Sequence, residues 1–252
     1  MSLLQLDGVS LRFGGLTAVR EVSVAVPQGE IFAIIGPNGA GKTSLFNIIT
    51  RVFAPSAGRV LVAGQDITAV PRHHVVRHGI ARTFQNIELF DAATVLQNLL
   101  LGRHRFPHGG FTAQFAWTPA VRRAEIASRA AVERTIDRLE LSAYRNAPVG
   151  GLPYGVRKVV ELGRALATEP RLLLLDEPAS GLNPEETRDL AFWIEDIRAE
   201  LGITVVMVEH DMSLVSAVAD RVMCMSMGEV LATGTAAEVQ ADPAVIAAYL
   251  GT

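Results

Sequence analysis

The chain has 252 residues, 49% of them hydrophobic and 19% charged, with a formal net charge of −3 from 23 basic and 26 acidic side chains. That length holds one large α/β domain or two small ones, and the composition is too apolar for a disordered chain, yet no apolar run approaches the ~20 residues of a membrane-crossing helix. The slightly acidic balance argues against a general nucleic-acid binder, and the single cysteine, Cys224, excludes an intrachain disulfide or a cysteine-built metal cage.

Met1 to Arg12 alternates apolar and polar residues and lacks a basic segment followed by a long apolar one, so no secretory signal is expected and the chain is expected to stay in the cytoplasm. Leu3 to Phe13 and Val22 to Val26 read as strands, and Ile31 to Ile35 is the solid apolar run of a buried parallel strand. Gly36 to Gly41 interrupts it, and Leu45, Phe46, Ile48 and Ile49 then give Thr43 to Arg51 a helical pattern. A strand over Arg59 to Ala63, a short helix around Arg72 to His78 and a strand near Ala81 to Phe84 follow. Helices are expected near Thr94 to Leu101, Pro119 to Leu139 and Gly155 to Ala167, with a loop rich in Gly, Phe and His from Arg103 to Thr118. Strands at Arg171 to Leu175, Ile203 to Val208 and Arg221 to Met225 then alternate with helices near Pro184 to Glu200 and Met212 to Val218. The pattern is an α/β core, approximately 1–85 and 168–252, enclosing a helical subdomain at approximately 86–167, all within one domain spanning 1–252.

Gly36-Pro37-Asn38-Gly39-Ala40-Gly41-Lys42-Thr43 fits G-x-x-x-x-G-K-[ST] between an apolar strand and a helix, the context that marks a phosphate-binding loop. Its glycines let backbone N–H groups turn inward around phosphates, and the helix N-terminus adds its positive end. Lys42 is expected to reach the β- and γ-phosphates and Thr43 to give its hydroxyl to Mg²⁺. Only two lysines, Lys42 and Lys158, stand beside 21 arginines, a bias that fits arginine-favouring codons and singles out Lys42. Leu172 to Leu175 is an apolar strand that ends in Asp176 and Glu177, placed for Mg²⁺ held through water and for a general base on the attacking water. Ile203 to Val208 ends at Glu209-His210-Asp211, which sets His210 on the sheet edge where α/β proteins bind ligands, within reach of a γ-phosphate. Gln85 is, on spacing alone, a polar loop residue.

In this order the residues resemble the ATP-binding subunits of ABC transporters. The resemblance implies an α/β P-loop NTPase core (ABC ATPase) with a helical subdomain inserted. It makes Gly36 to Thr43 the Walker A, holding ATP together with the adjoining Ser44, and Leu172 to Asp176 the Walker B. Glu177 becomes the catalytic carboxylate, His210 the switch histidine and Gln85 the Q-loop glutamine, which joins Thr43 and Asp176 at Mg²⁺. Phe13, in Arg12-Phe13-Gly14-Gly15, falls where the family stacks an aromatic ring on adenine.

The likeness narrows to the ATPases of bacterial branched-chain (hydrophobic) amino acid uptake systems through Arg82-Thr83-Phe84-Gln85-Asn86, Ala179 to Thr187, Glu209-His210-Asp211-Met212, the long 103–118 loop and the tail Ala248-Tyr249-Leu250-Gly251. It implies a peripheral protein on the cytoplasmic face of the inner membrane, with transmembrane permease subunits, a second ATPase subunit (paralogue or copy) and, indirectly, a periplasmic binding protein as partners, and no nucleic acid. The signature loop departs from the broad family's L-S-G-G-Q, reading Leu152-Pro153-Tyr154-Gly155-Val156. Proline supplies neither hydroxyl nor N–H, which leaves Gly155 and the helix dipole to face a nucleotide across the dimer. Other readings are a soluble P-loop ATPase of DNA repair or translation, although neither a long heptad run nor a second phosphate loop is present, and an importer ATPase for urea or short amides.

His74 and His78 stand four residues apart, as a helical metal pair does, without a carboxylate or third ligand beside them. From Arg103 to Arg145 eight arginines stand against Glu125, Glu133, Asp137 and Glu140, which reads as a solvated helical face or as a contact with head groups or the permease.

Overall fold

Residues 2–106 and 118–250 are described by the structure, a computed structural model. Residues 107–117 of the expected 103–118 loop, and Gly251 of the tail motif, lie outside the described residues. The chain forms two compact units, one of residues 1–85 and 171–252, the other of residues 86–170.

In the first unit β1 (Ser2–Phe13), β2 (Leu16–Pro27), β4 (Ala57–Val62) and β5 (Gln65–Asp66) make an antiparallel sheet in the order β2-β1-β4-β5. A second sheet has the order β10-β9-β3-β8-β7-β6, built from β3 (Ile31–Ile35), β6 (Ile80–Arg82), β7 (Leu172–Asp176), β8 (Thr204–Val208), β9 (Arg221–Ser226) and β10 (Glu229–Gly234). Its strands are parallel except the edge strand β10. Every residue of β3, β7 and β8 is buried, which is why those strands read as unbroken apolar runs while β1 alternates in places. The register sets Ile34, Val208 and Asp176 level across β3, β8 and β7, so these strands release their chains at one edge.

Helix α1 (Lys42–Ile49) starts directly after the glycine loop, and Leu45, Phe46, Ile48 and Ile49 join residues of both sheets in one hydrophobic cluster. The loop is thereby anchored on a helix whose apolar side chains are fully enclosed. In the second unit α2 (Val95–Gly102) begins with a Thr94–Gln97 capping box, α3 (Pro119–Arg138) with Thr118 and a proline in its first turn, and α4 (Tyr154–Leu166) with Pro153 as its N-cap. The signature segment is therefore a helix start, and the helix begins one residue before the expected Gly155. Back in the first unit, α5 (Pro184–Leu201) has an Asn183–Glu186 capping box and α6 (Met212–Val218) is capped by Asp211. Not among the expected elements were β5, β10, α7 (Ala236–Ala241) and α8 (Pro243–Leu250), nor the 3₁₀ turns Arg103–Arg105, Ser142–Tyr144 and Val149–Gly151.

Two surface readings change. Residues 72–78 form a 3₁₀ helix, with three residues per turn, so the four-residue spacing of His74 and His78 does not place both on one face; His78 instead meets Gln65 at 3.2 Å. Arg103 is not solvated: its buried guanidinium donates to the Ala167 carbonyl at 3.0 Å, pairs with Glu169 at 2.8 Å and stacks on Phe106. Arg129 pairs with Glu125 and Arg145 with Glu133, which absorbs part of the local charge excess.

Candidate nucleotide site

The loop after β3 needs its glycines at two points in particular. Gly36 has φ +145° and a Cβ there would stand 2.1 Å from the Met225 carbonyl oxygen; Gly41 has φ +99° and a Cβ there would stand 2.4 Å from that of Ala18. Only glycine allows the backbone to pass so close and turn inward. Lys42, 8% exposed, bends back so that Nζ donates to the carbonyls of Gly36 at 2.6 Å and Pro37 at 3.0 Å. Burial lowers its pKa from the usual lysine range, opposed chiefly by the negative charge of Glu177. A cavity of about 650 Å³ joins Phe13, Asn38, Lys42, Thr43, Ser44 and Glu177. Phe13 is 46% exposed and packs edge-on against Phe53, with ring centroids 5.1 Å apart, at one side of that cavity.

Glu177 lies just past β7 with a left-handed backbone, φ +47°. Its amide donates to the Val208 carbonyl at 2.9 Å, and its own carbonyl accepts from the Ser180 amide at 3.1 Å. The carboxylate accepts from Gln85 Nε2 at 2.8 Å and has His210 Nδ1 3.9 Å away. Gln85, Glu177 and His210 thus meet, although they leave three different strands. Asp176 is buried behind them and is held by a residue the sequence did not single out: Arg82, whose guanidinium pairs with Asp176 Oδ2 at 2.6 Å and donates to Asn47 Oδ1 at 2.7 Å. The same side chain lies over the rings of Phe46 and Phe84. One cation ties α1, β6 and β7 together. With both side chains under one-tenth exposed, removing the cation strands a buried carboxylate. Arg82→Met is expected to lower unfolding stability by about 3 to 5 kcal/mol in urea titrations; a loss below about 1 kcal/mol would make the pair no stronger than a surface bridge.

In the second unit Pro153 and Tyr154 are exposed, and Gly155 is buried in the first turn of α4, among N–H groups that no carbonyl of the same helix can reach.

A parallel sheet whose first strand turns through this glycine loop into a buried helix, with acids at the ends of the neighbouring strands, defines a P-loop nucleotide hydrolase. The sequence profile of the ABC transporter family matches residues 19–180, and that of the branched-chain amino acid ATP-binding cassette transporter matches residues 229–252. The chain belongs to the ABC transporter family, as one of its ATP-hydrolysing cassettes of the branched-chain amino acid group. It is 41% identical to the high-affinity branched-chain amino acid transport ATP-binding protein BraF of Pseudomonas aeruginosa, and 39% identical to LivG of Escherichia coli, which carries the same description; each alignment covers 99% of this chain and 98% of the relative. Among solved structures, a nucleotide-free ATP-binding cassette from an ABC transporter superposes with a TM-score of 0.87 at 31% identity over 100% of both chains. The ADP conformation of such a cassette also gives 0.87, at 32% identity over 100% of both. No helix among the described residues is long and apolar enough to cross a membrane.

Proposed function

We propose that this cassette drives the import of branched-chain or related hydrophobic amino acids, working at the cytoplasmic face of a bacterial inner membrane. In this reading it pairs with a second ATPase subunit, a paralogue or a copy, on two membrane permease subunits supplied by a periplasmic binding protein. The cargo assignment is carried by the match of residues 229–252 to the branched-chain cassette profile, supported by full-length identity to two transport proteins of that description.

At the site, the backbone amides of the glycine loop and the Lys42 ammonium take the β- and γ-phosphates, and Phe13 supplies a ring face for adenine beside the same cavity. The enclosed loop backbone, the ammonium within it and the oxygen donors beyond fit a triphosphate accompanied by a cation. Thr43, Asp176 and Gln85 would hold Mg²⁺, which when bound neutralises charge on the phosphate oxygens. Glu177 takes a proton from the attacking water, and Gln85 fixes which carboxylate oxygen is left to do so. His210, 63% exposed on its side chain, is free to meet the γ-phosphate. The signature loop serves the nucleotide of the other subunit; with Pro153 lacking a hydroxyl, the Gly155 amide and the positive end of α4 carry that contact.

Purification of the tagged chain from its native membranes, with mass spectrometry of the attached subunits, is expected to recover permease subunits and a second ATPase. After reconstitution of that complex in proteoliposomes, ATP is expected to drive accumulation of labelled leucine, isoleucine or valine. Uptake of urea or acetamide without uptake of any of the three would reassign the cargo, and isolation with nucleic acid instead of permeases would overturn the reading.

A further inference from the structure

Glu209 has a completely buried side chain; among the described residues no lysine or arginine pairs with it, and the His210 imidazole stands with Nδ1 3.9 Å from its Oε2. Its carboxylate is instead held by three backbone amides: Oε1 accepts from Ala179 at 2.8 Å, while Oε2 accepts from His210 at 2.8 Å and Asp211 at 3.0 Å. A buried charge is costly, and a set of amide donors on both oxygens is what makes it tolerable. The donors belong to two different loops. Ala179 lies in the turn after β7 that holds Glu177 in its left-handed backbone, and His210 and Asp211 form the exit from β8. One carboxylate therefore fastens the loop of Glu177 to the loop of His210. A glutamine in its place presents one acceptor oxygen and turns an NH₂ group toward an amide donor, so only one loop stays fastened.

We propose that Glu209 is a positioning residue that sets the Glu177–His210 geometry for attack of water on ATP, touching neither nucleotide nor water itself. This rests on the roles given above to Glu177 and His210. Glu209→Gln is expected to lower kcat by roughly ten- to a hundredfold, part of the range of a misplaced general base, with KM for ATP changed by less than about twofold because the phosphate loop keeps its own contacts. In a Glu177→Gln background the same change is expected to add no further loss, since the geometry it protects no longer matters. An unchanged kcat, a KM that rises as kcat falls, or an undiminished further loss in the Glu177→Gln background would each overturn the proposal.

Hydrogen exchange on the unmutated protein gives a second test that needs no variant to fold. The amides of Ala179, His210 and Asp211 are expected to open with one shared protection, and separate protection for the two loops would overturn the bracket. This readout does not depend on catalytic roles. Full turnover by Glu177→Gln together with shared protection would thus leave the bracket as structure but overturn both the role of Glu177 and the positioning role of Glu209.

Discussion

Glu177→Gln is expected to bind ATP within about twofold of the unmutated protein while slowing hydrolysis on the order of a hundredfold or more, as loss of a general base does. The substitution is nearly isosteric, so it leaves the turn, the contact with Gln85 and the walls of the cavity in place and removes the acceptor for the water proton. The geometry supports assigning this carboxylate to the chemistry: amide–carbonyl bonds to Val208 and Ser180 fix its backbone, and the side chain meets Gln85 at 2.8 Å with His210 3.9 Å away. With hydrolysis blocked, ATP is expected to accumulate a closed pair of cassettes. Single-turnover rates and mass by light scattering measure the two effects, and unaltered turnover would remove Glu177 from the mechanism.

The parts of this site that were legible in the sequence are those whose chemistry is local. A glycine loop between an apolar strand and a helix, and acids ending an apolar run, carry their meaning within a dozen residues. Arg82 and Glu209 do not. Arg82 reads as one more arginine at a strand end until the sheet sets it against Asn47 and Asp176, and Glu209 reads as a loop acid until β7 and β8 lie side by side. The same limit explains the short helix at Arg72–His78, where periodicity cannot separate 3.6 from 3.0 residues per turn over seven residues. It also explains Arg103, whose partners Ala167 and Glu169 are more than sixty positions away. The elements missed near the C-terminus are different. β10 alternates between exposed and half-buried residues, and α7 is too short for a helical period, yet Thr235 and Glu238 form a capping box that marks its start. Asp242-Pro243 similarly announces α8.

Lys42→Ala is expected to abolish ATP hydrolysis and to weaken MgATP binding by on the order of a hundredfold, because the triphosphate loses the one cation enclosed within its binding loop. Folding stability is expected to change by less than about 1 kcal/mol, since burial already disfavours the ammonium. The charge alone is not sufficient. Lys42 is held by two carbonyls 2.6 and 3.0 Å from a single nitrogen, a point-like geometry that the broad planar fork of arginine does not reproduce. Lys42→Arg is therefore expected to fail nearly as fully as Lys42→Ala, in a chain where arginine fills all but two of the basic positions. Calorimetric titration with MgATP, phosphate release and urea unfolding follow the three effects separately. Turnover by the alanine variant at the unmutated rate would place the phosphates elsewhere, and full activity of the arginine variant would reduce the role of Lys42 to charge.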